Sequence, residues 1–390
     1  MEELNTFDFP PLPPFVRPPL PVNAIPYQDS ADLDGLLYQI GPSGHEEQAS
    51  AAWREIAEER HLSTATDRAG NSFAFGGNEA GRRVMLDGHI DEIGFIVHAI
   101  DEKGFLRIRP IGGWDAAQAV GQHVVILGTA IPDDTRQIEG VVGRDAVHIL
   151  EHPIKPPKLE KLWVDIGAKD RDDALTMIQV GDALVIDTWP RSTGADNSLL
   201  VSRALDDRVG AFIVLAAVAR YHEWYQTLAS LAQNTQVCAI ACASVQEEVG
   251  LRGARIAAEG QRPEIAIAVD VCHATDYPGA DKDEYGERAL GSGPALSRAV
   301  FHSPIVYRAL AAAATRAGVA YTVIPEPAST GTNGDSITMA SPCAATAVMS
   351  IPLRYMHSPV ETCSIIDIES AIRLLTEFLK TAGTLNLLAR

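Results

Sequence analysis

The sequence is poor in cysteine and in basic residues, and it has no long apolar run. Its 5 cysteines, an odd number without the close spacing of a metal-binding motif, indicate buried free thiols in a reducing compartment. Lys and Arg number 32 against 51 Asp and Glu, and the net charge of -19 argues against a nucleic acid or an anionic membrane as partner. Since no stretch reaches about eighteen consecutive apolar residues, no segment is expected to span a membrane.

The first 26 residues lack the basic residues and the apolar block of a secretion signal. They contain three proline pairs between positions 10 and 19, which exclude a helix or an interior strand and predict extended, polyproline-type chain. We interpret 1–26 as a proline-rich N-terminal extension, either a docking arm or an unattached tail. The missing signal and the missing membrane segment together predict a cytoplasmic location.

The rest of the chain has the composition of a folded protein, with 46% hydrophobic and 21% charged residues, and its length suggests two domains. Between 102 and 192, short alternating segments separated by glycine and proline predict a β-rich module. On either side, apolar strands alternate with helices, as in an α/β sheet covered on both faces. The sequence predicts a discontinuous α/β domain, 27–101 and 193–390, interrupted by a β-rich insertion at 102–192.

Apolar periodicity and punctuation by glycine and proline also predict individual elements of the α/β domain. The predicted helices are 33–40, 46–60, 207–221, 304–317 and 366–381. The predicted strands are 83–87, 93–99, 235–244, 265–271 and 345–351.

Two adjacent glutamates, Glu247 and Glu248, follow the apolar run 237–245. Neighbouring side chains of an extended strand point to opposite faces, so both carboxylates reach one site only if the backbone bends there. Gly250 permits such a bend. One glutamate could then bind a metal ion while the other handles a proton, which is the division of labour that a metal-dependent hydrolase needs. Taken alone, a Glu-Glu pair is more often solvated surface.

Further metal-binding residue types stand where predicted strands end, the usual position of ligands in α/β sheets. His89 and Asp91 follow one strand, and His357 follows another. Because His89 and Asp91 are two residues apart, they share a face in extended chain, and Asp91 could hold the second imidazole nitrogen. A single histidine after a strand is nevertheless more often a surface residue or a satisfied core group.

Three aspartates complete this set of candidates. Asp206 and Asp207 open a predicted helix, where aspartate is more often an N-cap than a metal ligand. Asp270 ends an apolar run, where a carboxylate is costly unless it is paired or bound to a cation. Two histidines and several carboxylates on separate strand ends predict the ligand set of a two-metal hydrolase.

The sequence resembles the M42 family of metallo-aminopeptidases, the glutamyl and tetrahedral aminopeptidase group of the di-zinc exopeptidase clan. The resemblance runs from about Leu33 to Leu379 through seven ordered motifs: Gly41-Pro42-Ser43-Gly44, His89-Ile90-Asp91-Glu92-Ile93-Gly94, Val164-Asp165-Ile166-Gly167-Ala168, Ala204-Leu205-Asp206-Asp207-Arg208, Gln246-Glu247-Glu248-Val249-Gly250, Val269-Asp270-Val271 and His357-Ser358.

The resemblance implies a three-layer α/β catalytic domain with a central mixed sheet, interrupted by a β-barrel-like domain that is used in subunit contacts. It also implies a homo-oligomer, which in many members is a tetrahedral dodecamer with active sites facing an internal chamber. Family members begin near the equivalent of Leu33, so the extension 1–26 is additional to the family pattern.

The resemblance also implies a ligand set for two divalent metal ions. Asp206 would bridge the ions, His89 and Asp270 would complete one site, and Glu248 and His357 would complete the other. Zinc or cobalt is the expected metal, with manganese as a further candidate.

The remaining implied roles concern proton transfer and support. Glu247 would be the general base, taking a proton from the attacking water and passing it to the leaving amine. Asp91 would orient His89, and a cis peptide bond would join Asp206 to Asp207. The loop 331–335 is expected near the pocket, with no residue assigned.

The predicted function is hydrolysis of the N-terminal peptide bond of peptides by a two-metal aminopeptidase. One alternative is an amidohydrolase or deacylase of the same clan acting on N-acyl amino acids, which would not depend on a free α-amine. The other is a metal-stabilised binding scaffold without catalysis, in which Glu247 would have no role. A glycan-hydrolase activity is disfavoured because glycosidases use two carboxylates without a metal.

Overall fold

We describe a computed structural model of the chain, which covers residues 27–131, 134–149, 156–196, 198–228, 237–341 and 344–388. The predicted N-terminal extension and Cys343 lie outside the described residues. The other four cysteines carry free thiols, as predicted. Within the described ranges, none of the helices combines the length and the apolar character needed to cross a lipid bilayer.

The strands of the described residues, in chain order, are β1 (Ser63–Thr66), β2 (Ser72–Gly77), β3 (Arg82–His89), β4 (Gly94–Ile100), β5 (Leu106–Ile111), β6 (His123–Ile131), β7 (Asp134–Gly143), β8 (Trp163–Asp165), β9 (Ala183–Ile186), β10 (Arg191–Thr193), β11 (Leu199–Ser202), β12 (Val237–Ser244), β13 (Ile265–His273), β14 (Ala295–Ala299), β15 (Thr322–Glu326), β16 (Ala345–Arg354) and β17 (Glu361–Ser364).

The α-helices, in chain order, are α1 (Tyr27–Leu37), α2 (Glu47–Glu59), α3 (Ala116–Ala119), α4 (Arg171–Ala174), α5 (Leu205–Leu228), α6 (Arg252–Gln261), α7 (Lys282–Tyr285), α8 (Pro304–Ala317), α9 (Asn333–Ala340) and α10 (Ile365–Ala382). Short 3-10 helices cover Val147–Ile149 and Leu159–Lys161.

Eleven strands form a large mixed sheet with the order β1-β2-β12-β3-β13-β16-β17-β11-β10; β14 joins it by pairing with β16, and β15 pairs with β14. The centre is parallel: β3 pairs with β12 and β13, and β13 pairs with β16. The flanking pairs β1–β2, β2–β12, β16–β17, β17–β11 and β11–β10 are antiparallel. Because parallel strands end at the same edge, side chains that follow β3, β12 and β13 meet there.

Alternation along the central strands explains why helices cover both faces of this sheet. Val84 and Leu86 of β3 face a core shared with α1, α2, α5, α8 and α10. Met85, between them, faces a second core shared with α6 and α9. The predicted three-layer α/β fold with a central mixed sheet is therefore confirmed.

The other six strands form a closed antiparallel barrel with the order β4-β5-β8-β7-β6-β9, which confirms the barrel-like insertion of the predicted fold. Its interior is a separate core to which alternate residues such as Phe95, Val97, Leu106 and Ile108 contribute. The predicted domain boundaries stay a prediction. Strand β4 belongs to the barrel although it lies within the range 27–101 that the sequence assigned to the α/β domain.

Most of the predicted elements are confirmed, and the helix predicted at 304–317 has those bounds in the structure. The helix predicted at 33–40 instead spans Tyr27–Leu37. Arginine side chains take the carbonyl groups at and after its end: Arg208 donates to the Leu36 carbonyl oxygen at 3.3 Å, and both Arg203 and Arg208 donate to that of Gln39, two residues beyond the helix.

Candidate active site

The candidate site lies at the edge of the large sheet where the central parallel strands end. His89 is the last residue of β3, Glu247 and Glu248 follow β12, and Asp270 lies near the end of β13. Asp206 is the second residue of α5, and His357 lies between β16 and β17. The structure brings these side chains together on the wall of one cavity of about 490 Å³.

Asp206 stands between the two histidines. Its Oδ1 lies 3.2 Å from His89 Nε2, and its Oδ2 lies 3.4 Å from His357 Nε2. Two of the groups of ligand atoms that fit a metal ion contain Asp206, one with His89 and Asp270 and the other with Glu248 and His357. In each group the atoms lie within 4.8 Å of one another. One carboxylate thus offers an oxygen to each half of the cluster.

Asp206 and Asp207 are joined by a cis peptide bond, as the family resemblance implied. Asp207 is turned away from the cavity. Its Oδ2 accepts the backbone N–H of His89 and its Oδ1 accepts the backbone N–H of Gly210, both at 3.1 Å. Asp207 therefore fixes the backbone that carries His89 instead of joining the candidate ligands.

The backbone bends at both ends of the glutamate pair. Gln246, directly before the pair, has φ 57°, and Gly250, two residues after it, has φ 120°. The backbone therefore turns on both sides of the two glutamates. The bend predicted at Gly250 is confirmed, whereas the left-handed Gln246 was not predicted. Both glutamate carboxylates consequently reach the same cavity.

Asp91 is fully buried and ties β3 to this turn. Its carboxylate accepts the backbone N–H groups of Glu247 at 3.0 Å and Glu248 at 3.2 Å, and the Ser43 hydroxyl at 2.6 Å. Its Oδ1 also lies 3.4 Å from His89 Nδ1. Asp91 therefore sets the position of His89 relative to both glutamates, which supports an orienting role.

Burial and mutual repulsion raise the pKa values of several carboxyl groups in the cluster. Burial, and then the charges of Asp270, Glu248 and Asp206, raise the pKa of Glu247 to about 9 against the attraction of His89. Burial, and then the charge of Asp206, raise the pKa of Asp270 to about 7. Glu248 also has a raised pKa, chiefly through burial. This concentration of acids favours bound cations or protons.

The pKa values of both histidines are also raised, in their case by the neighbouring carboxylates. Burial disfavours the charged form of His89, but Glu247, Asp206 and Asp91 outweigh it and raise its pKa well above the usual value. Hydrogen bonds with Asp206 and Glu248 raise the pKa of His357 to about 11. Burial acts to raise the pKa of Asp206, but its hydrogen bonds with His357 and His89 outweigh this and hold the pKa below its usual value.

The donor set fits divalent cations. Imidazole nitrogens and carboxylate oxygens are ligands that zinc, cobalt and manganese accept. Among the described residues, no Lys or Arg nitrogen lies within 4.0 Å of the carboxylates of Asp206, Glu247, Glu248 or Asp270, whose only such partners are His89 and His357. Four acids facing two histidines leave a surplus of negative charge that two divalent cations would neutralise.

Glu361 supports the site and was not predicted from the sequence. It is buried at the start of β17, and its two carboxylate oxygens accept the backbone N–H groups of Asp206 at 3.0 Å and His357 at 2.9 Å. One side chain thus fixes the backbone of two candidate ligands. A glutamate four residues after His357 carries no sequence signal for this contact.

Replacing Glu361 with alanine is expected to weaken metal binding by about 10- to 100-fold, because supporting hydrogen bonds of this kind are worth that much in metal affinity. Titration of the metal-free protein with zinc, followed by metal analysis after dialysis, measures the change. Glu264→Ala is the matched control, since Glu264 is 54% exposed and pairs with Arg82 away from the cavity. Unchanged zinc affinity in Glu361→Ala would remove the supporting role.

The barrel also approaches the cluster, through the segment after β5. A Cβ atom added to Gly113 would lie 3.1 Å from His357 Nδ1, and one added to Gly112 would lie 3.3 Å from Glu248 Oε2. Side chains at these positions would press on two candidate ligands. The Gly112-Gly113 pair is the visible sequence signal for this close approach.

The loop 331–335 lies at the cavity, as predicted, with Thr330, Gly331 and Thr332 in its wall. Asn333 connects this loop to the sheet: its Nδ2 donates to Asp87 Oδ2 at 2.9 Å and to Ser244 Oγ at 3.0 Å. Asp87 and Ser244 lie near the ends of β3 and β12, so the loop is fastened to the strands that carry His89 and the glutamates.

Comparison with known proteins identifies the family of this chain. The profile of the M42 glutamyl aminopeptidase family matches residues 70–374. This chain belongs to the M42 glutamyl aminopeptidase family. Members of the M42 family are metal-dependent aminopeptidases, and the chain is accordingly a peptidase with a candidate metal-binding cluster of His, Asp and Glu.

Individual M42 relatives match over most of their length. The lysyl aminopeptidase of Pyrococcus furiosus is 30% identical over 82% of this chain and 86% of its own. The TET aminopeptidase of a marine-sediment Thaumarchaeota archaeon is 28% identical, covers 90% of this chain and 96% of its own, and superposes with a TM-score of 0.82. The TET1 peptidase of Pyrococcus horikoshii, described as assembling into a tetrahedron or a large octahedral shell, is 25% identical, with coverage of 90% and 98% and a TM-score of 0.74.

Proposed function

We propose that this M42 protein removes N-terminal residues from peptides with two divalent metal ions, zinc or cobalt and alternatively manganese. The observation that carries the proposal is the position of Asp206, with one carboxylate oxygen toward His89 and the other toward His357. His89, Asp206 and Asp270 would hold one ion. Asp206, Glu248 and His357 would hold the other.

Bound there, the two ions supply Lewis acidity, which acidifies water and polarises the carbonyl group of the scissile bond. Glu247 has the complementary task of moving a proton. Its carboxylate takes a proton from the attacking water and delivers it to the leaving nitrogen. Asp91 keeps the imidazole of His89 in place for this arrangement, because its carbonyl oxygen lies 3.1 Å and its carboxylate Oδ1 3.4 Å from His89 Nδ1.

The geometry favours Glu248 over Glu247 as the ligand. A third group of donor atoms contains His89, Glu247 and Glu248, so both glutamates lie within reach of the cluster. Glu248 Oε1 is 3.3 Å from His357 Nε2, whereas Glu247 Oε2 is 3.9 Å from His89 Nε2. The looser placement of Glu247 suits a side chain that exchanges a proton with water and substrate.

Hydrolysis of matched substrates with free and blocked N-termini tests the function. We expect the metal-loaded protein to cleave aminoacyl amides at least 100-fold faster than their N-acetyl counterparts, since an aminopeptidase recognises the free α-amine. Release of the amine is measured for leucyl, glutamyl, glutaminyl and lysyl amides. Faster cleavage of N-acetyl amino acids would favour the deacylase, and no cleavage of any substrate would favour the binding scaffold.

We further propose a homo-oligomeric assembly and a cytoplasmic location for this protein. The similarity to a peptidase described as forming tetrahedral and octahedral shells supports a homo-oligomer, with a tetrahedral dodecamer as the form to test by light scattering. The barrel formed by β4 to β9 is the proposed subunit-contact domain. Four free thiols support a reducing, cytoplasmic environment.

A further inference from the structure

Arg288 is a buried cation in the wall of the active-site cavity that the catalytic scheme does not use. Only 6% of its surface is exposed. Burying a charged group is costly unless a partner of opposite charge compensates it. The contacts of Arg288 therefore show whether its charge is compensated within the protein or is left for a bound ligand.

The backbone of Arg288 is fastened to the segment that follows β13. Its N–H donates to Thr275 Oγ1 at 2.8 Å, and its carbonyl oxygen accepts the Thr275 N–H at 2.7 Å. The side-chain Nε donates to the carbonyl oxygen of His273 at 3.3 Å, and the guanidinium contacts the Cys272 thiol. Since β13 also carries Asp270, the guanidinium is held at a fixed place relative to the candidate metal cluster.

None of these contacts neutralises the charge. Within the described ranges, no carboxylate oxygen lies within 4.0 Å of the Arg288 guanidinium, and the nearby Asp276 pairs with Arg354 instead. Glu326 lines the same cavity; burial and then Asp335 raise its pKa while Arg288 lowers it, so the two charges sense each other without forming an ion pair. The guanidinium lines the cavity without a carboxylate partner among the described residues, and an incoming carboxylate is the acceptor that suits it best.

We propose that Arg288 binds a carboxylate of the peptide substrate. This deepens the proposed function and rests on it. The carboxylate comes either from the side chain of an N-terminal glutamate or aspartate, or from the C-terminus of a dipeptide. A lysyl or arginyl side chain in the same place would set two cations together, which selects against it.

Family membership does not decide this preference. The family description names a glutamyl aminopeptidase, yet the Pyrococcus furiosus relative is named a lysyl aminopeptidase. These names specify N-terminal residues of opposite charge. Outside the candidate metal cluster, the cavity wall carries Arg288 together with Glu284 and Glu326, so the position of Arg288, tested by its variants, distinguishes the two cases.

Paired substrates that differ only in a carboxylate test the proposal on the metal-loaded full chain. One pair is glutamyl amide against glutaminyl amide, and the other is Leu-Ala against Leu-Ala-amide. In Arg288→Met, kcat/KM for the carboxylate member is expected to fall by about 10- to 100-fold more than for the neutral member, mainly through KM, because a hydrogen bond to a charged group is lost. Arg288→Lys is expected to restore part of the difference.

Arg298→Met is the matched control, because Arg298 is exposed on β14 beside the cavity residue Ser297 and changes the net charge equally. It should alter both members of each pair alike. A selective loss in the glutamyl pair identifies a side-chain carboxylate, and one in the dipeptide pair identifies the terminal carboxylate. An equal loss for all four substrates would reduce Arg288 to a structural role and overturn the proposal.

A binding measurement keeps this proposal separate from catalysis. Calorimetric titration with L-glutamate, L-glutamine, Leu-Ala and Leu-Ala-amide is done on two proteins, Glu247→Gln and Glu247→Gln/Arg288→Lys, so that the peptides are bound without being turned over. Tighter binding of a carboxylate member than of its neutral counterpart, reduced by Arg288→Lys, supports Arg288 even if the protein with Glu247 cleaves no amide, in which case only the aminopeptidase function fails. If neither carboxylate member binds more tightly than its neutral counterpart while amides are cleaved, Arg288 is excluded and the function stands.

Discussion

Glu247→Gln is expected to retain two bound metal ions and to lower kcat by about 10²- to 10⁴-fold, the usual contribution of a general acid–base group. Glutamine has nearly the same shape as glutamate but accepts no proton at neutral pH. The 3.9 Å between Glu247 Oε2 and His89 Nε2 indicates a side chain whose loss leaves the candidate ligand contacts of Asp206 in place. Steady-state kinetics and metal analysis on one preparation give both quantities.

Glu248→Gln is the matched control, since the two glutamates are adjacent and differ in their proposed tasks. It is expected to lose activity together with metal, because Glu248 Oε1 lies 3.3 Å from His357 Nε2 within the group that would hold one ion. Full turnover by Glu247→Gln would disprove the proposed base. Loss of metal from Glu247→Gln and not from Glu248→Gln would exchange the two roles.

Exhaustive chelation is expected to abolish peptide hydrolysis, with recovery on adding back zinc, cobalt or manganese. The physical reason is the charge of the cluster: four carboxylates and two histidines share one cavity wall. Measuring kcat/KM after reconstitution with each metal ranks the candidates. Activity that survives complete removal of metal would contradict the two-metal mechanism.

In the metal-free protein, the free energy of unfolding should decrease as the pH rises from 5 to 9. The pKa of Glu247 is about 9 against 4.5, and that of Asp270 is about 7 against 3.8, so the folded chain keeps protons that the unfolded chain has lost. His357, at about 11 against 6.5, acts in the same direction. Asp206 acts in the opposite direction, but only below its usual value of 3.8.

Thermal unfolding of the metal-free and metal-loaded protein across this range measures that effect. The metal-loaded protein should show a smaller decline, since bound cations take the place of the protons. In the metal-free state Glu247→Gln should flatten the decline, because it removes one of the titrating groups. A melting temperature of the metal-free protein that rises between pH 5 and 9 would contradict the raised pKa values.

The fold could be predicted largely because its signals are local. Long apolar strands separated by amphipathic helices indicated the α/β layers, and short segments punctuated by glycine indicated the β-rich insertion. Helices α6 and α9 were missed. The first turn of α6 contains Gly253, and α9 begins with Asn333 and Gly334. These residues have low helix propensity, so neither segment begins like a helix in the sequence. Packing on the sheet, through Ala254 and Ile337, stabilises both.

Candidate ligands could be predicted because strand ends and residue types suffice to propose them. The residues around them, which hold the ligands in place or line the cavity, could not be predicted. Glu361 accepts the backbone N–H of Asp206 from 155 positions away, and the guanidinium of Arg288 is held by the carbonyl oxygen of His273, 15 positions away; both contacts depend on how the strands are arranged in the sheet. The left-handed conformation of Gln246 is equally invisible, because a glutamine gives no reason to expect a positive φ.

The buried Asp91 carboxylate has a consequence for how the protein folds. It joins the end of β3 to the N–H groups of Glu247 and Glu248, and Glu247 lies 156 positions further along the chain, beyond the whole barrel. Pairing segments so distant is a slow event in folding, since the long intervening loop must close first. Uptake of both metal ions during refolding should therefore follow the pairing of β3 with β12, because Asp91 positions His89 of one proposed site and Glu248 of the other.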